Sequence, residues 1–367
     1  MKFSANVADV ARALAIVGGV VESRTTIPIL NHLLIKAETG QVSIIGTDLE
    51  RECTAMIDGE ISEPGAATVT CSILRSIVDK LPKAGTINFA TANERTAVSY
   101  SRSRYALDGL DVEGFPAGKI PGGAMFDVGA KPFADLLTSA VSCVSTEETR
   151  IYLCGVFLHT RAEGLCAAST DGHRLIRRWM PMPAGAENIP HVIIPTKGVQ
   201  TMIALLGSSD GTAHVWVTRE RIGLQIKGAS FSTALINAEF PDYERVIPRD
   251  VGPSIAFLGQ EFAAAVERAA ATMPDAKVVP AVMTSTPDGL VIRVGPRDHD
   301  TAVEHVEGTF FLAPEAEVAA NSKYLAGMTK IWGSAPIRMQ LGNRREPILF
   351  TSEALPEQLV CIMPMKR

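Results

Sequence analysis

The sequence predicts an α+β protein of three repeated domains, each with two helices packed on one face of an antiparallel sheet. The chain has 367 residues, which at about 100–200 residues per domain corresponds to two or three domains. One apolar spacing recurs three times along it. Each recurrence combines helical periodicity with short alternating runs. We expect the domains at 1–120, 124–250 and 253–367.

The repeat begins with an apolar residue, followed by a second one seven positions later and a third one four further on. The three sets are Phe3, Val10 and Leu14; Phe126, Phe133 and Leu137; and Ile255, Phe262 and Val266. In each set the first residue belongs to a short strand and the other two start a helix, because apolar residues three or four apart share one helix face. A second helix follows in each copy, so every domain resembles a doubled strand–helix–strands unit.

The helical period predicts six helices, two in each copy. Their windows are 8–20, 72–82, 131–143, 196–206, 260–272 and 322–332. Short alternating runs at 86–90, 97–101 and 105–110 follow the second window and are typical of an antiparallel meander. Matching dipeptides close the copies at Phe115-Pro116, Phe240-Pro241 and Met363-Pro364, and Gly- and Pro-rich segments at 118–123 and 248–253 mark the domain boundaries.

Composition is that of a soluble globular protein. The chain is 46% hydrophobic and 20% charged, and no run approaches the roughly 18 apolar residues of a membrane helix. The first residues lack the apolar core of a secretory signal, so we expect a cytoplasmic protein without a membrane partner. The net charge of −5 argues against a protein that coats nucleic acid with its outer surface.

The six cysteines give no sign of a metal site. They are Cys53, Cys71, Cys143, Cys154, Cys166 and Cys361. None forms a Cys-x-x-Cys pair, and no Cys–His cluster has zinc spacing. We therefore expect no metal, no cofactor and no structural disulfide, the last in keeping with a reducing compartment.

One polar cluster could carry catalysis, namely Thr170-Asp171-Gly172-His173-Arg174. Phosphate-binding loops and the Gly-x-Ser-x-Gly nucleophile motif are absent from the sequence. No Ser or Cys is clearly paired with Asp171 and His173, and Asp-Gly is a common turn sequence. A shorter version recurs at Thr47-Asp48-Leu49-Glu50-Arg51, which favours an architectural turn. A hydrolase-like enzyme that uses Asp171 and His173 at a domain boundary stays as the alternative.

The predicted helices carry a net positive charge, whereas the rest of the chain is acidic. Eight cations stand against five anions in the six windows, and the cations are Arg12, Arg75, Lys80, Lys131, Lys197, Arg268, Lys323 and Lys330. Simple solvation of the outer helix face explains this as well as nucleic-acid binding does. If all six helices lie on the same side of their sheets, however, the domains present one basic helical face and one acidic strand face.

The end of the sequence is unusually apolar. Met363, Pro364 and Met365 lie beyond the last strand that the repeat requires. Adaptable methionine side chains suit a surface groove that accepts varied apolar peptides.

Taken together, these residues resemble one family, the β sliding clamp, the processivity subunit of bacterial DNA polymerase III. The landmarks are Met1-Lys2-Phe3, Thr26-Ile27-Pro28-Ile29-Leu30, Gly46-Thr47-Asp48-Leu49-Glu50, Thr170-Asp171-Gly172-His173-Arg174-Leu175, Phe240-Pro241-Asp242-Tyr243 and the run from Val360 to Met365. The resemblance implies a head-to-tail homodimer in which six domains close a ring around duplex DNA, without regard to its sequence. It also implies that the protein is not an enzyme, that a clamp loader complex places it on DNA, and that replicative and other DNA polymerases and repair proteins dock through short apolar peptides.

The resemblance also assigns residues. The peptide pocket is similar to one formed by Leu153, Thr170, Gly172, His173, Arg174, Leu175, Pro241, Arg245, Val246, Asn321, Tyr324, Met363, Pro364 and Met365. The DNA-facing positions resemble Arg24, Arg150 and Tyr152, in addition to the helix cations Arg12, Arg75, Lys80, Lys197 and Arg268. The pocket combines apolar walls with a few polar groups that orient a ligand.

The subunit contact follows from charge. Arg102 and Arg104 are two residues apart near Tyr105 and Leu107, so we expect the two cations to share one face of a first-domain strand. Three anions lie at even spacings near a third-domain strand: Asp298, Asp300 and Glu304. If these two edges pair between chains, opposite charges meet and two exposed sheet edges are covered.

Overall fold

In the part of the chain that the structure describes, a strand runs directly into an α-helix six times, which gives six strand–helix units. The computed structural model describes residues 1–22, 24–38, 40–118, 122–249, 254–296, 299–311, 317–340 and 346–365. The six units are β1 (Lys2–Asn6) with α1 (Val7–Val17), β6 (Gly65–Thr70) with α2 (Cys71–Val78), β10 (Ala124–Gly129) with α3 (Ala130–Ala140), β14 (Val192–Pro195) with α4 (Thr196–Gly207), β18 (Ser254–Leu258) with α5 (Gly259–Ala270), and β23 (Glu317–Asn321) with α6 (Ser322–Thr329). The six predicted helices are therefore confirmed.

Several helices end earlier than their periodicity predicts. The α3 window extends to 143 and the α6 window to 332, whereas the α-helices stop at Ala140 and Thr329. In both cases the chain tightens into a 3-10 turn, at Val141–Cys143 and Lys330–Trp332. Such turns keep apolar residues near the helical spacing, so periodicity alone does not separate them from the helix.

The chain folds as two compact units. Unit 1 consists of Met1–Ala134 and Pro183–Ile236, and unit 2 of Asp135–Met182 and Asn237–Arg367. The division of the chain into three domains at 1–120, 124–250 and 253–367 stays a prediction.

Unit 1 contains two antiparallel sheets. Its remaining strands are β2 (His32–Glu38), β3 (Gln41–Thr47), β4 (Arg51–Asp58), β5 (Glu60–Glu63), β7 (Thr86–Ala92), β8 (Arg95–Tyr100), β9 (Ser103–Asp108), β15 (Thr212–Val217), β16 (Arg221–Ile226) and β17 (Ala229–Ala234). One sheet has the order β5–β1–β7–β8–β9, and the other has the order β10–β15–β16–β17–β4–β3–β2–β6. The predicted strand at 105–110 begins two residues earlier, because Ser101 adopts a φ of 51° and closes a tight turn at 101–102.

Unit 2 repeats this arrangement. Its further strands are β11 (Gly155–Arg161), β12 (Gly164–Thr170), β13 (Arg174–Met180), β19 (Pro280–Thr286), β20 (Gly289–Val294), β21 (Ala302–Glu307), β22 (Thr309–Phe311), β24 (Pro336–Gln340), β25 (Ile348–Thr351) and β26 (Gln358–Ile362). They form the orders β11–β12–β13–β26–β25–β24–β18–β22 and β21–β20–β19–β23. In unit 2, β13 pairs with β26, with Arg174 opposite Ile362 and Ile176 opposite Val360.

The apolar residues of the repeat form the cores. Phe3, Phe126 and Ile255 are each at most 3% exposed, and their partners Val10, Phe133 and Phe262 are fully buried. Phe3 stacks on Phe89 with ring centroids 4.6 Å apart. The apolar spacing thus marks the residues on the buried face of each strand and helix. The predicted α+β fold, with helices packed on antiparallel sheets, is confirmed.

Two further properties bear on function. In the described part of the chain, no helix is long and apolar enough to cross a membrane. All six cysteines are in the thiol form, and all except Cys154 are buried.

Candidate functional site

The candidate site of unit 2 is built around the 170–174 turn, which joins β12 to β13. Thr170 Oγ1 donates to the Arg174 carbonyl at 2.8 Å and accepts from Gly172 N at 3.1 Å. Asp171 Oδ1 accepts from the backbone N–H groups of His173 and Arg174, at 2.9 and 3.0 Å. Asp171 Oδ2 accepts from Arg174 Nε at 3.0 Å. These bonds fix the backbone and the Arg174 side chain together.

Glycine suits the shape of this turn at position 172. The φ of Gly172 is +89°, a left-handed conformation that residues other than glycine seldom adopt. A Cβ at this position would also lie 3.0 Å from an Arg150 guanidinium nitrogen.

Arg150 packs against the turn from the preceding segment. One guanidinium nitrogen donates to the Asp171 carbonyl at 3.2 Å, and Nε donates to Glu147 at 2.8 Å. These hydrogen bonds from Arg150 hold the pKa of Glu147 below its usual range. Arg150, which the resemblance assigns to DNA, thus contacts the turn of the pocket residues.

Tyr324 forms the aromatic side of the site. Asn321 caps α6 by accepting from Lys323 N at 3.0 Å, and Tyr324 follows in the first turn of the helix. The guanidinium carbon of Arg174 lies 4.8 Å from the Tyr324 ring centroid, and the His173 ring stacks at 6.3 Å with an interplanar angle of 21°. Burial, reinforced by the nearby charge of Asp171, raises the pKa of Tyr324.

The residues after β26 are held at the same place. Met363 N donates to the His173 carbonyl and Met365 N donates to the Ala319 carbonyl, both at 2.8 Å. Met363 is 38% exposed, and Pro364 and Met365 are half-buried. Met363, Pro364 and Met365 therefore form an apolar border of the site.

The remaining predicted pocket residues divide into floor and rim. Leu153 and Leu175 are at most 4% exposed, so their side chains form an apolar floor. Pro241, Arg245 and Val246 are exposed. Arg245 Nε donates to Asp242 at 2.7 Å, and both side chains lie largely in solvent.

The contacts of Asp171 are those of a structural residue. Both of its carboxylate oxygens accept hydrogen bonds within the turn, and the His173 ring lies against Tyr324. Within the described residues, no group of three or more His, Cys, Asp or Glu side chains could hold a metal ion. The arrangement therefore offers an apolar border with hydrogen-bonding groups, suited to a peptide.

Most of the predicted DNA-facing cations lie at the surface. Arg24, Lys80 and Lys197 are exposed, and Tyr152 is half-buried. Three arginines have anionic partners in the chain: Arg12 with Asp9 at 2.6 Å, Arg75 with Asp79 at 3.6 Å, and Arg268 with Glu304 at 2.6 Å. The Arg268 pair is bidentate, and it lowers the pKa of Glu304.

The predicted subunit-contact residues lie at two sheet edges. Arg104, Tyr105 and Leu107 belong to β9, the last strand of its sheet. The prediction that Arg102 shares a strand face with Arg104 is wrong, because Ser101 with its φ of 51° places Arg102 in the preceding turn. Glu304 belongs to β21, the last strand of the unit 2 sheet. Asp300 lies before β21 with Arg293 at 3.7 Å, and Asp298 lies outside the described residues.

Sequence reasoning missed the residues that hold the rim. Phe240 and Tyr243 are buried, and Glu244 pairs with Arg161 and Arg177. The two aromatic residues Phe240 and Tyr243, three positions apart around Pro241 and Asp242, were the signal in the sequence. The arginines are far away in sequence, so no local pattern connects them to the rim.

Comparisons with known proteins agree over the whole chain. Residues 1–120 match the model of the DNA polymerase III beta subunit, N-terminal domain, and residues 127–242 match that of its central domain. Proteins named beta sliding clamp from Caulobacter vibrioides and Escherichia coli K12 are 32% and 28% identical, with 100% of both chains covered.

Solved structures give the same result. The pol III beta structure from Caulobacter crescentus has a TM-score of 0.93 at 31% identity and covers 100% of both chains. A sliding clamp from Bartonella birtlesii bound to griselimycin has a TM-score of 0.94 at 30% identity and equal coverage. The fold and the relatives thus define a polymerase sliding clamp. The chain belongs to the family of bacterial DNA polymerase III β subunits, the β sliding clamps.

Proposed function

We propose that the chain is a DNA sliding clamp, two copies of which close a ring around duplex DNA and tether the replicative polymerase to it. The observation that carries this proposal is the full-length likeness to sliding clamps, at a TM-score of 0.93 and 100% coverage of both chains. A clamp needs no catalytic group, which agrees with an Asp171 whose oxygens are used within a turn. The three-domain division is part of the proposal, since a dimer then supplies six domains.

Weak electrostatic contact with DNA supports a topological hold. Several helix cations are exposed, but Arg12, Arg75 and Arg268 each have an anion nearby in the chain. Cations that are already paired release fewer counterions on binding phosphate, so direct affinity is low. A closed ring stays on DNA without such affinity, because escape requires an open interface or a DNA end.

Two exposed edges are suited to ring closure. The edge strands β9 and β21 have six residues each, and unpaired edges of this length favour pairing with another chain. Next to β9 lies a groove of about 420 Å³, lined by Ile73, Ile77 and Tyr105, and Ile73 is 49% exposed. On β21, Val303 is 51% exposed. Apolar burial at these edges would stabilise a head-to-tail dimer.

The unit 2 site is proposed as the docking pocket for partner peptides. Its buried Leu153 and Leu175, the stacked Tyr324 and the exposed Met363 provide apolar contact, and the 170–174 turn is held rigidly by hydrogen bonds. Replicative and other polymerases, repair proteins and the clamp loader complex would compete for this pocket by short apolar peptides. We place this activity in the cytoplasm, where bacterial DNA is replicated.

Retention on DNA of different topology tests the function. The protein is loaded on nicked circular DNA by a clamp loader and the complex is isolated by gel filtration at high salt. We expect the protein to stay on the circle and to leave after a single cut, because it slides off the end. Equal retention on circular and linear DNA would mean that contacts hold the protein, and the clamp proposal would be wrong.

Charge reversal separates loading from retention. Replacing Arg24 and Lys197 by Glu should impair loading more than retention, because repulsion acts on the encounter with DNA and topology acts afterwards. Neither Arg24 nor Lys197 belongs to the edge strands β9 and β21 of the proposed contact, so the dimer should remain. Loss of retention after equal loading would contradict this order.

A further inference from the structure

The connector at residues 240–246 has two sets of side chains with different roles. Pro241, Arg245 and Val246 are exposed and belong to the proposed pocket. Phe240 and Tyr243 are 7% and 5% exposed and point into unit 2. The connector is therefore a short strap whose outer residues form a pocket wall and whose inner residues attach it to the sheet.

Aromatic contacts attach the first part of the connector. Phe240 stacks on Phe157 of β11, with ring centroids 4.7 Å apart and an interplanar angle of 4°. The Tyr243 hydroxyl lies 2.9 Å from His159 Nε2, also on β11. Burial of both rings makes this attachment largely apolar.

A charge cluster attaches the second part. Glu244 Oε1 accepts from Arg161 on β11 and from Arg177 on β13, the latter at 3.3 Å. The three side chains are 32%, 27% and 16% exposed, so the cluster is largely shielded from solvent. Arg177 and Leu175 are two residues apart on β13 and share one face, so the cluster lies beside the pocket floor.

We propose that Glu244 is a positioning residue for the pocket, which holds Arg245 and Val246 in place by bridging Arg161 and Arg177. This inference rests on the proposed function. A wall that is already fixed loses less conformational entropy when a peptide binds, so pre-organisation raises affinity. Without the carboxylate, Arg177 loses this anionic partner and Arg161 keeps its pair with Glu163 alone of the two glutamates, so the 243–246 turn loses its attachment to β13.

The dissociation rate of a bound peptide should show this role. Glu244 has no place among the pocket residues, so its loss should leave the encounter nearly unchanged and shorten the lifetime of the complex. We expect Glu244→Gln to raise the dissociation rate about three- to tenfold, the size that corresponds to the cost of ordering one side chain on binding. The fold should persist, because the Phe157–Phe240 and Tyr243–His159 contacts are retained.

The experiment follows a fluorescein-labelled pentapeptide with Leu and Phe as its last two residues, by stopped-flow anisotropy with the full-length protein. Glu239→Gln is the matched control, because it removes an exposed glutamate five residues earlier. A double-mutant cycle that combines Glu244→Gln with Arg161→Gln measures how strongly the two side chains are coupled in their effect on the dissociation rate. We expect the effects of Glu244→Gln and Arg161→Gln to be non-additive, since each removes the same bridge.

The outcomes separate the two proposals. If the unmodified protein does not bind the peptide, the proposed pocket is wrong. If it binds, and Glu244→Gln dissociates at the rate of Glu239→Gln or adds fully to Arg161→Gln, the positioning role is wrong. If Glu244→Gln lowers the melting temperature by more than about 5 °C, Arg161→Gln alone is used to test the positioning role, because it leaves Glu244 paired with Arg177. In that case, a peptide dissociation rate of Arg161→Gln equal to that of Glu239→Gln overturns the inference.

Discussion

Leu49 and Gly172 occupy the same position in two turns that are built by the same hydrogen bonds. Leu49 N donates to Thr47 Oγ1 at 3.0 Å, as Gly172 N does to Thr170 Oγ1 at 3.1 Å. Both residues have positive φ, 77° for Leu49 and 89° for Gly172. A left-handed leucine costs about 1–2 kcal/mol, and glycine adopts this conformation freely. The same type of turn therefore occurs in each unit. The left-handed residue is strained in the unit 1 turn, where it is leucine, and unstrained in the unit 2 turn, where it is glycine.

This difference predicts opposite effects of two substitutions. Leu49→Gly should raise stability by about 0.5–1 kcal/mol, because strain relief exceeds the entropy that glycine adds to the unfolded chain. Leu49 is 51% exposed, so little apolar burial is lost. Gly172→Ala should lower stability by about 1 kcal/mol and displace Arg150. Urea unfolding measures both, and a loss of stability in Leu49→Gly would contradict the assignment of strain.

Asp171 and Asp48 provide a matched pair for the proposed pocket. Asp48 Oδ2 accepts from Arg51 Nε at 2.9 Å, as Asp171 Oδ2 does from Arg174 Nε at 3.0 Å. Each substitution to Asn should cost about 1.5–3 kcal/mol of stability, the value of hydrogen bonds to a charged group. Asp171→Asn alone should also weaken peptide binding, because Arg174 then leaves the Tyr324 ring. Calorimetric titration of both variants with the peptide tests this. Equal peptide affinity in the two variants would contradict the proposed pocket.

Local sequence patterns predicted the parts of this protein that depend on local geometry. The apolar spacing of Phe126, Phe133 and Leu137 indicated a strand followed by a helix, because burial of one face imposes the period. The 170–174 turn was also predictable, since Asp-Gly favours a bend and Thr170 reaches the backbone. The helix ends were not, because a 3-10 turn such as Val141–Cys143 conserves the spacing of buried residues.

The contacts that complete the site are long-range and have no local signature. Tyr324 meets Arg174 from another helix, and Arg161 meets Glu244 across 83 positions of sequence. Charges such as Arg268 were predicted to face DNA from their helix alone, yet Arg268 also pairs with Glu304. Such partners depend on how strands are ordered in the sheet, which periodicity does not encode.

The tail after β26 should be needed for peptide binding but not for folding. Truncation after Ile362 removes Met363, Pro364 and Met365 and two backbone hydrogen bonds, to His173 and Ala319. Loss of a central apolar anchor typically costs about 2 kcal/mol or more, at least tenfold in affinity. Isothermal titration with an apolar peptide measures the loss, and light scattering checks that the dimer remains. Unchanged affinity would rule the pocket out.

Buried thiols should make the protein sensitive to alkali. Burial raises the pKa of Cys53 and of Cys361 from 9.0 to about 12. Below pH 9 the thiols are protonated in both states, and their contribution to stability is fully present. Between about pH 9 and 12 only the unfolded chain loses the proton, so stability falls by about 1.4 kcal/mol per pH unit for each thiol.

Substitution of one thiol tests this dependence. Cys53→Ala should lose less stability than the unmodified protein between about pH 8.5 and about pH 10.5, although it is less stable at both because of the cavity. Urea unfolding at each pH gives the slopes. Cys154→Ala is the control, because the Cys154 thiol is only half-buried and should contribute less to the pH dependence of stability. Parallel slopes for Cys53→Ala and the unmodified protein would mean that the thiol does not titrate on unfolding.

The edge strand β9 should be necessary for formation of the dimer. Tyr105 is half-buried beside Ile73 and Ile77, in a groove next to the edge. Tyr105→Glu places a charge where a second copy would bury an aromatic ring, and loss of such an anchor typically weakens an interface by about 2 kcal/mol or more. We expect the mass in solution to fall from two chains of 39.2 kDa each toward one.

Ser62→Glu is the control, because it adds the same charge to an exposed position of β5, the opposite edge of the same sheet. Light scattering across a dilution series distinguishes the two variants. If Ser62→Glu dissociates the dimer and Tyr105→Glu does not, the chains pair through β5, and the proposed head-to-tail contact between β9 and β21 is wrong.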